Sequence, residues 1–143
     1  MDFFDHLVRF ETDLWNAVER QLARSGQVGL GTLQALRILD RHDGAGRVHE
    51  LSEELSITIG AASKVVDRLE RDGLATRRPH PEDRRSSLVA LTFVGQQARQ
   101  DGEKVARAFI GRIIEEPADA ALVVDALRRL QDRLTDTVAE VTA

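Results

Sequence analysis

Between Gly60 and Thr92 the chain carries seven basic side chains (Lys64, Arg68, Arg71, Arg77, Arg78, Arg84 and Arg85) against five acidic ones. The flanks have the opposite balance, with 5 basic and 7 acidic residues over 1–46 and 7 and 9 over 96–143. A formal net charge of −4 therefore hides a local positive patch. Guanidinium groups at this density suit a polyanion, because each can meet a phosphate through a planar fork of donors. Attraction to phosphate is screened beyond about 8–10 Å at physiological salt, so a local patch suffices and acidic flanks do not cancel it. Catalytic chemistry is poorly provided for. His6, His42, His49 and His80 have no metal-ligand spacing, and Ser86-Ser87 has no adjacent base. Glu53-Glu54 and Glu115-Glu116 read as solvated helix faces, and no phosphate-cradling glycine loop is present. With no cysteine, disulfides, thiolate metal sites and cysteine redox sensing are excluded. Neither a cofactor, a metal nor an enzymatic activity is expected.

Helices and one hairpin must position these groups. A first helix is expected from about Asp2 to Arg24, with Phe3, Leu7, Phe10 and Leu14 on one stripe and Phe4, Val8, Trp15, Val18 and Leu22 on the next. So wide an apolar face points to a second subunit. Glycines in SGQVGLG break the pattern, and Thr32 to His42 forms the second helix. A third covers Val48 to Leu55, Ser56-Ile57 turns, and Thr58 caps a fourth running to Arg71 with Ile59, Ala62, Val65, Val66 and Leu69 inward. Gly73 closes it in the left-handed conformation. Leu74–Arg78 and Ser86–Leu91 read as hairpin strands, with Pro79 and Pro81 in the loop between them. Thr92 caps a fifth helix to about Glu115. A sixth follows Pro117 and repeats Val123, Leu127, Leu130, Leu134, Val138 and Val141 at 3–4 spacing. The fold class is mainly α with a small β-hairpin wing: a winged helix-turn-helix core plus N- and C-terminal helices.

Leu51-(x3)-Leu55, Val65-(x3)-Leu69-Glu70, Asp72-Gly73-Leu74, Arg78, Asp83-Arg84-Arg85 and Leu91-Thr92-(x2)-Gly95 together resemble the MarR family of bacterial transcriptional regulators. The resemblance implies one domain over 1–143, with dimerisation helices at 1–24 and 117–143 and a DNA-binding lobe at 32–95. It implies a homodimer on double-stranded DNA, most often as a repressor. It also implies a small aromatic or anionic effector, bound between dimer helices and lobes, that weakens DNA binding. Two departures stand out. Val48 occupies a place where a capping Ser or Thr is usual, and Gly60, Ala61 and Ala62 replace polar residues common at the front of the fourth helix.

In that frame the fourth helix enters the major groove end-on from Thr58 to Lys64. Ser63 and Lys64 donate to base edges, while Gly60 and Ala61 allow close approach, Ala61 offering a methyl contact to thymine. Equally, those two small residues serve only to pack the turn. Arg68 suits phosphate, or else pairs with Glu70 or Asp72 at the surface. Arg84 and Arg85 suit a narrow A·T minor groove. The resemblance has Asp83 orienting the wing arginine, against the plainer reading of a local Asp83–Arg85 bridge. Arg77 and Arg78 are expected on the DNA backbone, and His80 adds a pH-sensitive contact. Trp15 either walls a ligand pocket, with Arg9 meeting an anion, or is core or dimer contact.

Two-fold symmetry predicts a pseudo-palindromic operator with half-sites about 10 base pairs apart. The alternative is a winged helix that docks another polypeptide. No stretch approaches the roughly 20 apolar residues of a membrane span, and MDFFDHLVRFE lacks the order of a signal peptide, so a cytoplasmic protein is expected.

Overall fold

The structure, a computed structural model, describes residues 2–142. Six helices and one hairpin follow in the order α1 (Phe3–Arg24), α2 (Leu30–Arg41), α3 (Val48–Glu54), α4 (Ile59–Arg71), β1 (Ala75–Pro79), β2 (Ser87–Leu91), α5 (Phe93–Ile110) and α6 (Pro117–Thr142). The chain divides into two compact units, Met1–Arg107 and Ala108–Ala143.

Each boundary in the first unit has a local cause. Asp2 caps α1 by accepting from Asp5 N at 3.0 Å, and Asp5 returns the contact to Asp2 N, so two orphan donors are satisfied reciprocally. α2 begins at Leu30, two residues before the position expected from the glycines. Its first turn has no side-chain cap of its own. Glu19 of α1 supplies one, accepting from Leu30 N at 2.5 Å, which favours a helix start that glycines alone would discourage. Thr58 caps α4 as expected, accepting from Ala61 N at 3.1 Å. Gly73 then takes a φ of +72° at its end, in the left-handed region.

The core lies among α2, α3, α4 and the hairpin. Leu36, Leu39, Leu51, Val66, Leu69 and Val89 are fully enclosed. α4 turns Ala62, Val66 and Leu69 inward as expected and leaves Val65 half-buried, but Ile59 is 58% exposed. It sits at the first helical position, where the helix end projects beyond the core.

The hairpin is antiparallel, with Ala75 opposite Leu91 and Pro79 opposite Ser87. Pro79 thus ends β1 instead of lying in the loop, a place proline tolerates on an edge strand. Val89 N donates to Gly46 O at 2.7 Å, tying β2 to the segment before α3. The Leu91-Thr92-(x2)-Gly95 motif proves to be a joint. Thr92 Oγ1 donates to Gly73 O at 2.6 Å and accepts from Gly95 N at 3.0 Å. A Cβ on Gly95 would lie 1.9 Å from Leu74 O, so no other residue lets α5 start this close to the turn after α4.

In the second unit α5 stops at Ile110, not near Glu115. Gly111 follows, a poor helix former, and turn hydrogen bonds from Arg112 N and Ile113 N to Phe109 O and Ile110 O replace the helical ladder. α6 opens with Pro117 at its first position, where the missing N–H costs nothing.

Candidate nucleic-acid interface

On the outer face of α4, Thr58, Ile59, Gly60, Lys64 and Arg68 are all exposed, with open space around Gly60. Ser63 and Ala61 are half-buried. Ile59, 58% exposed, presents more of its side chain on this face than Ala61 does. Among the described residues, Lys64 and Arg68 lie within ion-pair reach of no carboxylate. Glu70 is engaged with Arg77 and Asp72 with Arg71, so the surface pairs considered for Arg68 do not form.

At the wing, Arg78, Arg84 and Arg85 are exposed and likewise form no ion pair among the described residues. The loop that carries them is built by backbone contacts. Asp83 Oδ1 accepts from Arg85 N at 3.0 Å, and His80 N donates to Ser86 O at 3.2 Å. His80 Nδ1 accepts from both Glu82 N and Asp83 N at 3.1 Å, while its Nε2 faces Arg47 at 2.8 Å. This corrects the reading of Asp83. It holds the main chain of Arg85 and not its guanidinium, because a carboxylate two residues back reaches the backbone N–H in a tight turn. The local Asp83–Arg85 bridge is absent for the same reason. His80 organises the loop from within.

Arg77 differs from the other wing arginines. Nη1 donates to Asp67 Oδ1 at 2.7 Å and Glu70 Oε2 at 2.5 Å, and Nη2 reaches Ser63 O and Oγ at 3.3 and 3.4 Å. Its backbone N–H donates to Glu70 Oε1 at 2.9 Å. Partial burial works against the charge, but the bonds to Asp67 and Glu70 outweigh it and hold the guanidinium more firmly protonated than usual. The expectation of a free contact to the DNA backbone is corrected: both Nη groups and the main-chain N–H are engaged within the lobe. Sequence alone could not reveal this, because the pairing depends on how β1 lies against α4. Ser63, Arg77 and Arg85 nevertheless meet, on a cleft of about 380 Å³ that Arg47 also lines.

Trp15 is 42% exposed and borders a cleft of about 490 Å³ whose walls include Gln34, Ile38, Arg41, Leu55 and Arg68. Arg9 is not there. It lies in a separate depression with Phe4 and Val8, 3.9 Å from Asp13. Six residues along one helix separate Arg9 from Trp15 by about 9 Å and two-thirds of a turn, and the two line different depressions. The cations beside Trp15 are Arg41 and Arg68, and Arg41 is itself held by Glu54. Among the described residues no group of His, Asp or Glu is arranged to hold a metal ion, and no helix is long and apolar enough to cross a membrane.

Known proteins share both the lobe and the wider fold. The MarR family model matches residues 30–87. The HTH-type transcriptional regulator YdgJ of Bacillus subtilis is 26% identical over 92 residues, 63% of this chain but only 56% of its own length. CouR from Rhodococcus jostii RHA1, solved bound to p-coumaroyl-CoA, superposes with a TM-score of 0.79 at 25% identity, covering 93% of this chain and 91% of CouR. A single-site mutant of MarR from E. coli, complexed with operator DNA, gives a TM-score of 0.73 at 21% identity over 91% of this chain and 99% of that one. The MarR family's pattern thus matches the lobe, and nine-tenths of the chain shares the fold of MarR-family structures.

Proposed function

We propose that this chain is a sequence-specific DNA-binding transcriptional regulator, acting in the cytoplasm as a homodimeric repressor and without catalysis. One observation carries the reading. Lys64 and Arg68 on α4 and Arg78, Arg84 and Arg85 on the wing are exposed cations with no carboxylate partner among the described residues, gathered on the two elements that a winged helix applies to a duplex. Most other arginines of the first unit, such as Arg37, Arg41 and Arg99, are paired. Lys64 and Ser63 read base edges from the tip of α4, with Thr58 and Gly60 at the closest approach. The wing arginines enter the minor groove. The MarR–operator complex supports this use of the fold.

The apolar side chains left outside on α1 and α6, among them Phe3, Phe10, Leu127 and Leu134, support helical dimerisation at both ends of the chain. The cleft beside Trp15 supports effector control. An aromatic wall with Arg41 and Arg68 suits an aromatic carboxylate or thioester, the chemistry of the CouR ligand, and such a ligand would draw Arg68 away from phosphate.

The test is fluorescence anisotropy on duplexes selected from a random pool by the purified protein. With six to ten phosphate contacts, affinity falls by about 10³–10⁵ between 50 and 200 mM salt. Binding to no duplex even at low salt would overturn the reading in favour of a protein-docking winged helix. Trp15 is the only tryptophan, so quenching of its emission by aromatic acids reports on the cleft directly. Quenching that leaves DNA affinity unchanged would sink the effector role.

A further inference from the structure

We infer that Arg77 is a positioning residue: it clasps the wing to α4 so that helix tip and wing tip reach the duplex as one unit. The inference rests on the DNA-binding reading above but goes beyond it, since it removes a cation from the contact surface and gives it another task.

The geometry is specific. Ser63, Asp67 and Glu70 stand at i, i+4 and i+7 on α4, one stripe facing β1. One arginine of β1 touches all three through its guanidinium, and Glu70 additionally takes its main-chain N–H. That N–H is free to do so because Arg77 stands opposite Val89, whose own N–H is turned away to Gly46. Glu70 therefore satisfies the strand's outer edge and the side chain at once.

Charge decides against a phosphate contact here. The triad of Arg77, Asp67 and Glu70 sums to −1, and Asp67 is well exposed, so a phosphate placed against it meets net repulsion. By contrast the side chains of Arg84 and Arg85 are exposed and form no ion pair among the described residues.

The wing acts as a lever on its base. A two-stranded ribbon is marginal alone. From Arg77 to the loop tip is about five residues, or roughly 16 Å of strand. A tilt of about ten degrees at the base would then move the tip by roughly 3 Å, the whole length of a hydrogen bond. Fixing the base therefore fixes where Arg84 and Arg85 arrive.

The experiment is a double-mutant cycle on affinity for the selected duplex, using Arg77→Ala, the pair Arg84→Ala/Arg85→Ala, and all three together. A clasp predicts that Arg77→Ala alone weakens binding about 10- to 100-fold but costs less than about 3-fold once the tip arginines are gone. Equal losses in both backgrounds would overturn the proposal, since an independent contact, or a general loss of fold, is additive. Arg77→Lys keeps the charge without the fork, and should recover little of the loss. Recovery to wild-type affinity would point to a simple phosphate contact instead. Amide exchange on the free proteins gives a readout without DNA: Arg77→Ala should speed exchange across residues 82–86 while the α2 amides stay protected. Unchanged exchange there would also count against the clasp, even if wild-type protein bound no duplex at all.

Discussion

The lobe and the sixth helix use the same apolar spacing and reach opposite ends. In the lobe, Leu36, Leu51 and Leu69 are completely enclosed, whereas on α6 Leu127, Leu134 and Val138 are 44%, 57% and 53% exposed. The first half of α1 behaves like α6, and only its last turns, with Val18 and Leu22, join the core. Periodicity reveals that a face is apolar. It does not reveal whether the same chain or a second copy covers that face. This exposed aliphatic surface is what the proposed dimer rests on.

The sharpest way to break the comparison is to charge the uncovered face. Leu134→Asp on α6 should leave the lobe folded but separate the subunits. The loss of joint binding should lower operator affinity by about 10²–10⁴-fold. Sedimentation and anisotropy on the same samples check both halves, and a variant that remains dimeric would show that α6 is not the seam. Truncation in the covered region acts differently. Leu36→Ala should cost about 2–5 kcal/mol of stability through lost burial and the cavity left behind, read as a urea midpoint shift. Leu134→Ala measured in dilute, dissociated protein should cost little. Similar losses at the two sites would erase the distinction.

Within the lobe the contrast narrows to single residues on the DNA face. Arg85→Ala should weaken operator binding by about 1–3 kcal/mol, chiefly on A·T-rich flanks. Ile59 offers a subtler case. If its exposed side chain meets a thymine methyl, replacing that thymine by uracil should weaken wild-type binding by about 1 kcal/mol and leave Ile59→Ala unaffected. A uracil scan with the same profile for both proteins would assign Ile59 to the free surface alone.

Which parts were readable follows from how local their causes are. Thr58, Thr92 and Gly73 act within a turn of themselves, so capping and left-handed geometry could be inferred from residue type alone. The order of the elements came from periodicity, and the wing from its prolines and arginines. The failures were tertiary. Glu19 caps α2 from a different helix. Asp67 and Glu70 capture Arg77 only because β1 settles against that face of α4. Ile59 keeps the phase of the buried stripe yet sits where the core has ended. Gly95 belonged to a recognisable motif, but its reason, the carbonyl of Leu74 at 1.9 Å from any Cβ, is visible only in three dimensions.

The smallest effect tests another such tertiary tie. Glu54 at the end of α3 receives His42 Nε2 at 2.8 Å and also meets Arg41. The His42 hydrogen bond is the largest cause holding its carboxyl below the ordinary value of 4.5. Slight burial opposes the shift, and Arg41 reinforces it. A carboxyl with a lowered folded pKa adds stability that is full above 4.5 and disappears as pH falls through the folded value. The pair is partly exposed, so its worth is screened to about 0.5 kcal/mol. Urea midpoints for wild type and Glu54→Gln should therefore differ slightly at about pH 6 and converge as the carboxyl protonates below about pH 4.5. A gap that stays constant down to about pH 3 would mean that the side chain acts there by packing alone, with its charge contributing nothing to the α2–α3 junction.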